Sequence, residues 1–329
     1  MSNSAALPTS THETHTMTSN WLPSASIETL KQRQDLLNKT RMFFNTRKYL
    51  EVETPILSRF ATPDLHIDSI ATDAGYLHTS PEYPMKRLLA AGSGPIYQIC
   101  KVFRANETSS RHNPEFTLIE WYQPGWNDLQ LASEVVDLIQ YLGHNVPAIK
   151  ISYRDIFTET TGIDPMTCPT ETLQELCATK ANRSCDDFSR NDCLDLIMSL
   201  IVEPAMDHQS ITVVTDFPAS QAALAIKVQH PDGFETAKRF EIYSGGLELA
   251  NGYTELTDAK EQRERFEQEN QQRTKRNLPI MPIDINFIAA MEKGLPESAG
   301  VALGFDRVMM LCTNNNNIHD VIAFPWIKA

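Results

Sequence analysis

The sequence predicts an α+β fold in which a mostly antiparallel sheet is flanked by helices. Strand-like segments fall at about 96–103, 115–123, 211–217 and 239–256, with helical patterns between some of them and none between others. A doubly wound parallel sheet needs regular alternation of strands and helices, which this order lacks. The 329 residues suffice for one large domain with an insertion or for two domains.

Caps and turn residues predict the elements of the first half. Residues 1–26 are rich in Ser, Thr, Asn and Pro without periodicity, which predicts a disordered tail. Ser26 can cap the first helix, and the extended segment LEVETPIL follows that helix. Pro84 is predicted to start a short helix ahead of the strand IYQICKVF. After the strand EFTLIEWYQ, a helix over 128–142 is predicted to end at Gly143.

The second half is predicted to return to the sheet after an insertion. Short helical patterns between about 144 and 210 predict a helical insertion away from the main sheet. Strands are predicted at ITVVTDF, AALAIKV and KRFEIYSGGLELANGYTEL, and a charged helix at 258–276. Residues 27–329 are therefore expected to form one domain that carries the insertion.

Composition excludes several functional classes. Forty-two acidic residues against 29 basic ones give a net charge of −13, which is poorly suited to binding nucleic acid through phosphate contacts. No apolar run approaches the roughly 18 residues of a membrane span, and the N-terminus lacks the pattern of a secretory signal. The six cysteines include no CxxC motif, which predicts reduced thiols. We therefore expect a soluble, cytoplasmic protein.

The segment FRANETSSRHNPEFTLIEWYQ, residues 103–123, is typical of two strands joined by a long polar loop. The loop carries Arg104, Arg111 and His112. On the return strand the two-residue period places four side chains on one face: Phe116, Leu118, Glu120 and Tyr122. The acid could instead lie on the solvated side while the aromatics cover the core. The loop cations favour a nucleotide site, because Arg binds phosphate bidentately and an aromatic face stacks on a base.

Residues 239–256 are predicted to form a hairpin around a Gly-Gly turn. Strict pairing places Glu241 opposite Ala250 and on the same face as Glu248. Paired carboxylates on neighbouring strands repel each other unless a cation lies between them. Mg²⁺ typically uses one or two carboxylates plus phosphate oxygens, so the pair predicts a magnesium site. A solvated acidic edge strand is the alternative.

The same hairpin supplies further polar residues. Strict alternation would point Asn251, Tyr253 and Glu255 away from the two carboxylates. We therefore predict a β-bulge near Asn251 and Gly252 that returns all three to the pocket. Glu82, in HTSPEYPMKRL, adds another acid. These acids would suit an amino-acid substrate that carries two amines.

Three segments resemble the signature motifs of class II aminoacyl-tRNA synthetases. They are RKYLEVETPIL, FRANETSSRHNPEF and GVALGFDR, in that order along the chain. The resemblance is to the lysyl-tRNA synthetase catalytic domain over roughly 28–329, with RHNPEFT and NGYTEL as its specific elements. It implies an antiparallel sheet flanked by helices, a homodimer, and the use of ATP and Mg²⁺.

The resemblance also implies roles for individual residues. Arg104 would bind the α-phosphate and, with Arg307, act in catalysis, while Phe116 and Arg307 would enclose the adenine. Glu241 and Glu248 would hold Mg²⁺. Other implied nucleotide-binding residues are Asn106, Glu107, His112, Asn113, Glu248, Leu249 and Gly304. The implied amino-acid pocket consists of Ser80, Glu82, Glu120, Tyr122, Asn251, Tyr253, Glu255 and Ala302.

Two departures from the synthetases narrow the expected function. About 27 residues precede the catalytic domain, where a synthetase has an anticodon-binding barrel, so no anticodon reading is expected. Ala302 stands where lysyl-tRNA synthetases have glycine, and its methyl group would favour (R)-β-lysine, whose amine lies one carbon further along. This layout resembles the synthetase paralogues that attach such an amino acid to a lysine ε-amine of elongation factor P. In the second motif, Asn106 stands where glutamate is usual, and Glu107 is the other candidate for that role.

Other functions remain open from the sequence. Synthetase-like asparagine synthetases share the motifs but do not explain a pocket with Glu82, Glu120 and Glu255. A truncated paralogue could act on free amino acids, or it could be a non-catalytic regulatory module. Retention of both Arg104 and Arg307 argues against the non-catalytic alternative.

Overall fold

The computed structural model describes residues 21–329. Its helices are α1 (Ile27–Thr46), α2 (Glu82–Ala90), α3 (Asp128–Leu142), α4 (Tyr153–Thr161), α5 (Thr170–Ala181), α6 (Arg190–Ile197), α7 (Glu203–Ala205), α8 (Ala259–Lys275), α9 (Ile285–Gly294) and α10 (Phe305–Thr313). Its strands are β1 (Leu50–Glu51), β2 (Leu57–Ser58), β3 (Ala71–Thr72), β4 (Gly75–Leu77), β5 (Ile96–Phe103), β6 (Glu115–Pro124), β7 (Ala148–Ser152), β8 (Ile211–Pro218), β9 (Lys227–Gln229), β10 (Glu235–Ser244), β11 (Leu247–Thr254) and β12 (Ser298–Gly304). None of the helices among the described residues is long and apolar enough to cross a membrane.

The main sheet has nine strands and is mostly antiparallel. Its order is β1-β5-β6-β12-β11-β10-β8-β7, with β9 paired to β10, and the short strands β2, β4 and β3 form a second sheet. The pairs β1–β5 and β7–β8 are parallel, and the other pairs of the main sheet are antiparallel. The predicted α+β class with an antiparallel sheet flanked by helices is therefore confirmed.

Several predicted element boundaries are confirmed and two are wrong. Helix α3 spans 128–142 as predicted, and Gly143 ends it with φ of 123°. Helix α2 begins at Glu82, so Pro84 lies within the first turn, where its missing N–H costs no hydrogen bond. In AALAIKV (222–228) the predicted strand is instead a turn with an isolated bridge from Ala225 to Glu255, and only its last two residues belong to the short β9.

The helical insertion is not wholly separate from the main sheet. Within 144–210, β7 pairs in parallel with β8 and extends the sheet, with Ala148 opposite Ile211 and Ser152 opposite Thr215. The following helices pack on β8 and β10 around a second apolar core that includes Phe157, Leu173 and Leu194. All six cysteines are free thiols, as predicted.

The predicted disordered tail is corrected at its C-terminal end. Residues 1–20 of the tail lie outside the described residues. The backbone N–H groups of Ser24 and Ala25 donate to the carbonyl oxygens of Ala323 and Ile322, and the side chain of Ala25 is buried. Residues 24–26 are thus ordered by pairing with the last segment of the chain before Ser26 caps α1.

The main sheet separates an apolar core from a polar face. Helices α1, α3 and α10 cover one face, where the ring of Phe44 stacks on Tyr97 and meets Trp121 edge-on. Because side chains alternate along a strand, Ile119 and Trp121 face this core whereas their neighbours Glu120 and Tyr122 face the other side.

A buried ion pair joins the first helix to the last. Asp306, at the start of α10, accepts a hydrogen bond from the Thr117 N–H at 2.7 Å, and the Arg33 guanidinium lies 2.6 Å from its carboxylate. Arg33 also donates to the carbonyl oxygen of Val321 at 3.2 Å. Asp306 therefore has a structural role, which explains why an aspartate follows the apolar run of β12.

We expect Arg33→Met to lower the free energy of unfolding by about 3–5 kcal/mol, because it leaves the Asp306 charge buried without its partner. Chemical denaturation monitored by circular dichroism measures the change. Lys31→Met is the matched control: the exposed Lys31–Glu28 pair is 3.7 Å long, and its loss should change stability by less than about 0.5 kcal/mol. Equal, small effects of both substitutions would contradict the structural role of the buried pair.

Candidate active site

The hairpin between β10 and β11 brings the polar side chains onto one face. Gly245 and Gly246 form its turn with φ of 59° and 73°, which favours glycine at both positions. The register shifts between Ile242 and Tyr243, so that Leu249 is the extra residue of a β-bulge. The predicted bulge near Asn251 is therefore two residues too late along the chain.

The bulge has the predicted effect although its position differs. Glu241 lies opposite Asn251 and not opposite Ala250, because Leu249 is skipped. Tyr243 still pairs with Glu248, as predicted from the turn. Glu248 and Asn251 consequently point to the same face as Glu241, although strict alternation would separate them.

Two rows of cross-strand neighbours form the floor of the site. Across β6, β12, β11 and β10, the first row is Glu120, Ala302, Asn251 and Glu241. The second row is Tyr122, Gly300, Tyr253 and Arg239. Adjacent strands lie about 4.8 Å apart, so each row is a continuous strip. Ala302 occupies the centre of the first row, between an acid and an amide.

A group of polar side chains closes one end of this floor. The Ser80 hydroxyl donates to Glu120 at 2.6 Å and accepts from the Glu82 N–H at 3.0 Å. The Tyr122 hydroxyl donates to the other oxygen of Glu120 at 2.7 Å. Ser80, Glu82, Glu120 and Tyr122 are thus brought together as predicted.

An internal lysine joins this group. The Lys86 ammonium lies 2.6 Å from Glu82 and 2.5 Å from Glu255, and its side chain is fully buried. Glu255 follows β11 and is itself 2% exposed. Asn251 Oδ1 is buried and has no hydrogen-bond partner within the described chain, which leaves an acceptor for a ligand N–H.

Burial changes the acid–base properties of the pocket. Burial, with the charge of Glu82 as the next cause, raises the pKa of Glu120 to about 8. Burial also raises the pKa of Glu255 to about 7, and Lys86 opposes this rise. Carboxyls that are this hard to ionise are stabilised as anions when a cationic ligand arrives.

Arg307 is held at the other end of the site by two fixed contacts. It donates to the carbonyl oxygen of Glu248 at 2.6 Å and to His112 Nε2 at 2.8 Å. The other ring nitrogen of His112 is 2.9 Å from the Ser109 hydroxyl. Burial, followed by the Arg307 charge, lowers the pKa of His112 and keeps the imidazole neutral as the acceptor.

Arg104 lies over the aromatic ring predicted to bind the base. Its guanidinium carbon is 5.1 Å from the centroid of Phe116, and one of its nitrogens is 3.8 Å from a Glu107 oxygen. Asn106 has φ of 65° and is exposed in a turn. Of the two candidates for the second-motif glutamate, Glu107 is therefore the one that contacts Arg104.

Three predicted nucleotide-site residues have structural contacts. The side chain of Asn113 donates to the Glu115 carbonyl oxygen at 2.6 Å and accepts from the Trp326 N–H at 2.9 Å, so it fixes the loop. The side chain of Leu249 is buried in the core. Gly304 precedes α10, and a methyl group added there would meet its nearest atom, of Arg307, at 3.7 Å.

The two acids predicted to hold magnesium share a face but differ in environment. Glu241 is buried and accepts hydrogen bonds from Arg239 and Tyr243. Glu248 is partly exposed, with its carboxylate 3.9 Å from Arg307. Burial, followed by the charges of Glu248 and Glu241, raises the pKa of Glu203 to about 7. Within residues 21–329 no group of three His, Cys, Asp or Glu side chains is arranged as a ready-made metal site.

Sequence reasoning missed four residues of the site. Lys86 lies four residues after Glu82 on α2, a spacing that predicts a helical ion pair. Arg239 lies two residues before Glu241 and shares its face by strand alternation. Gly300 and Glu203 had no such signal. A Cβ at Gly300 would overlap the Tyr122 ring and the Glu255 carboxylate.

The chain is similar in sequence to known proteins over nearly its whole length. Residues 17–328 match the family model of class II tRNA synthetases (D, K and N). The chain is 46% identical over 324 residues to the elongation factor P–(R)-beta-lysine ligase of Haemophilus influenzae (strain PittGG), covering 95% of this chain and 100% of that protein. It is 45% identical over 321 residues to the protein of the same name from Pseudoalteromonas translucida (strain TAC 125), with 94% and 98% covered.

The raised pKa values of Glu120 and Glu255 predict how the stability of the ligand-free protein depends on pH. A carboxyl whose folded pKa is raised contributes stability below its unfolded pKa of about 4.5 and loses that contribution as pH rises through its folded pKa. We therefore expect the melting temperature to fall as pH is raised from about 5 to 8, across the folded pKa values of about 7 and about 8.

Glu120→Gln should make this fall smaller, because glutamine can keep the contacts to Ser80 and Tyr122 without ionising. Thermal unfolding of the ligand-free protein at several pH values measures the effect. Glu115→Gln, at an exposed carboxylate of the same strand, is the matched control and should leave the pH dependence unchanged. A Glu120 variant with the pH dependence of the wild type would contradict the raised pKa.

Proposed function

This chain belongs to the class II tRNA synthetase family, and from that membership we propose that it is an ATP-dependent ligase that activates (R)-β-lysine and transfers it to a lysine of elongation factor P. The observation that carries the proposal is the polar floor of the sheet, with carboxylates at one end and Arg104 and Arg307 at the other. An amine-bearing acid at one end would present its carboxylate to a nucleotide phosphate at the other.

The amino-acid end suits a substrate with two ammonium groups. Glu82 lies close enough to Glu120 and Glu255 for its charge to add to the effect of burial and raise the pKa of both. Asn251 adds an unpaired acceptor next to Ala302 in the first row. The methyl group of Ala302 occupies space beside this acceptor, which favours an amine displaced by one carbon from the α-position. These features support β-lysine over α-lysine.

The proposed reaction has two steps. The substrate carboxylate attacks the α-phosphorus of ATP, forming an aminoacyl-adenylate and releasing pyrophosphate. The ε-amine of the acceptor lysine then attacks the acyl carbon, forming an amide and releasing AMP. Arg104 stabilises charge at the α-phosphate, while Phe116 and Arg307 enclose the base. The protein contributes positioning and charge stabilisation without a nucleophile of its own.

Mg²⁺ is part of the proposal, and Glu248 and Glu241 are the residues that would hold it. Two carboxylates plus phosphate oxygens form a usual Mg²⁺ environment, so the residues fit the ion. Arg239 and Tyr243 already bind Glu241, which leaves the half-exposed Glu248 as the more available ligand. When bound, the ion neutralises charge on the phosphates.

The proposal includes the partners and setting of the reaction. Elongation factor P is the proposed protein substrate, and the names of the relatives at 46% and 45% identity support this part of the proposal. We further propose that the first motif forms a homodimer and that the reaction takes place in the cytoplasm. A truncated paralogue acting on free amino acids, or a non-catalytic regulatory module, is the alternative, and the prearranged Arg307–His112 contact favours catalysis over the latter.

We expect Arg307→Ala to reduce amino-acid-dependent exchange of pyrophosphate into ATP by at least about 100-fold, because several kcal/mol of transition-state stabilisation are lost. The fold should persist, since Arg307 is on the polar side of the site. Arg263→Ala, which removes an exposed arginine of α8 with a 3.9 Å contact to Glu292, is the control. Undiminished exchange by a folded Arg307 variant would remove this residue from the site.

Ala302→Gly tests the choice between lysine isomers. Removing one methyl group from a tight pocket should raise kcat/KM for α-lysine relative to (R)-β-lysine by roughly 10- to 200-fold. Adenylate formation with each isomer, on both proteins, measures the ratio. An unchanged ratio would mean that Ala302 serves packing alone. Glycine in the strand should cost only about 0.5–1 kcal/mol of stability, so the variant should fold.

A further inference from the structure

We propose that Lys86 is a positioning residue of the amino-acid pocket: its internal ammonium group pairs with the Glu82 and Glu255 carboxylates and fixes them in the pocket, so that the pocket binds a doubly charged amino acid at neutral pH. The inference rests on the proposed function, because it gives Lys86 a role at the amino-acid end of the proposed active site. Lys86 acts through the two carboxylates, which make the contacts to the substrate amines.

The geometry of Lys86 differs from that of a surface lysine. Its ammonium lies 2.6 Å from Glu82 and 2.5 Å from Glu255, and none of its side chain is exposed. Glu82 lies in the first turn of α2 and Glu255 directly follows β11, so one cation spans two separate elements. The ring of Phe287, on α9, lies 5.8 Å from the ammonium and encloses it further.

A buried ion pair is a weak source of stability, because desolvation of both charges offsets much of their attraction. A purely apolar contact between α2 and β11 would join these elements at least as well. The presence of a charged triad inside the pocket therefore points to a requirement for the charges themselves. The neighbouring Glu120, which is 2% exposed, is a third acid in the same pocket. A cation beside these acids is needed to offset their negative charge.

Glu120 and Glu255 are buried beside the charge of Glu82, and this environment opposes their ionisation. Burial is the largest cause that raises the pKa values of Glu120 and Glu255, and the charge of Glu82 raises both further. Lys86 is the cation that lowers both pKa values. Burial by itself would lower the pKa of Lys86, but Glu255 and Glu82 outweigh it and raise that pKa, so Lys86 stays charged.

Besides Lys86, the cation Arg239 of β10 lies near Tyr253, and the other titratable groups facing the triad are acids and tyrosines. On β6 these are Glu120 and Tyr122, on β11 Tyr253, on α2 Glu82 and Tyr83, and beyond β11 Glu255, with Asp64 and Asp284 near Tyr83. Burial is the main cause that raises the pKa of each of these tyrosines, which stay neutral. When all three carboxyls are ionised, they and the one ammonium carry a formal charge of −2, which two substrate ammonium groups would neutralise.

The test is the pH dependence of (R)-β-lysine binding to Lys86→Met, measured by titration calorimetry from about pH 6 to 8.5. Loss of an opposite charge within about 4–6 Å raises a carboxyl pKa by about 1–3 units. The pH at which binding is half-maximal should therefore rise by at least about one unit, with affinity at pH 7 reduced about tenfold or more. Affinity should recover towards the upper end of the pH range.

Lys238→Met is the matched control. Lys238 forms a 2.8 Å ion pair with Asp216 on the opposite side of β10, and its loss should leave the pH midpoint of binding unchanged. If Lys86→Met lowers the affinity equally at every pH, Lys86 only stabilises the position of α2, and the inference is overturned. Unchanged or tighter binding at pH 7 would overturn it as well.

A second variant keeps the test decisive if Lys86→Met is unstable. Lys86→Ala removes atoms equivalent to n-propylamine, so added n-propylammonium should restore binding of (R)-β-lysine, whereas n-propanol of similar size should not. Equal rescue by both compounds would show that volume and not charge matters. If the wild-type protein binds neither lysine isomer, the proposed function fails, whereas wild-type binding with no pH shift in the variants contradicts the Lys86 inference alone.

Discussion

The β-bulge at Leu249 is the constraint on which the site depends. Without the extra residue, Glu248 and Asn251 would lie on opposite faces of β11, and one of them would point into the apolar core under α3. The bulge buries Leu249 and returns the strand to the register in which Asn251 lies opposite Glu241 and Ala302. The extra residue therefore puts Glu248, at the phosphate end of the site, and Asn251, at the amino-acid end, on the same face of the sheet.

Such a concentration of acids is stable because cations are built in beside them. Arg239 binds Glu241, Lys86 binds Glu82 and Glu255, and Arg307 lies near Glu248. Arg239 lies on the same strand face as Glu241 and Lys86 one helical turn after Glu82, whereas the contacts of Lys86 with Glu255 and of Arg307 with Glu248 join separate elements. In the described part of the chain, Glu120 and Glu203 lack such a partner: burial, followed by the charges of neighbouring acids, raises their pKa values to about 8 and about 7.

Features that depend on local periodicity could be predicted from the sequence, whereas features that depend on tertiary packing could not. Strand alternation was sufficient to place Glu120 with Tyr122, and the Gly-Gly turn to place Tyr243 opposite Glu248. The position of the bulge was missed, because an extra residue at Leu249 leaves no local pattern and is chosen by burial of its side chain. The strand β7 was missed for a similar reason: its pairing with β8 is parallel and joins segments about 60 residues apart.

The small residues of β12 explain why Ala302 is the position at which specificity can change. A side chain at Gly300 would overlap the Tyr122 ring and the Glu255 carboxylate, so that position is closed to variation. Gly304 lies at the start of α10, where the nearest atoms to an added methyl group lie at ordinary contact distance and belong to the nucleotide end of the site. Ala302 lies between them, half-buried and flanked by Glu120 and Asn251. A single methyl group at this position can therefore alter the space available to an ammonium group without disturbing the strand, the carboxylates or the nucleotide contacts.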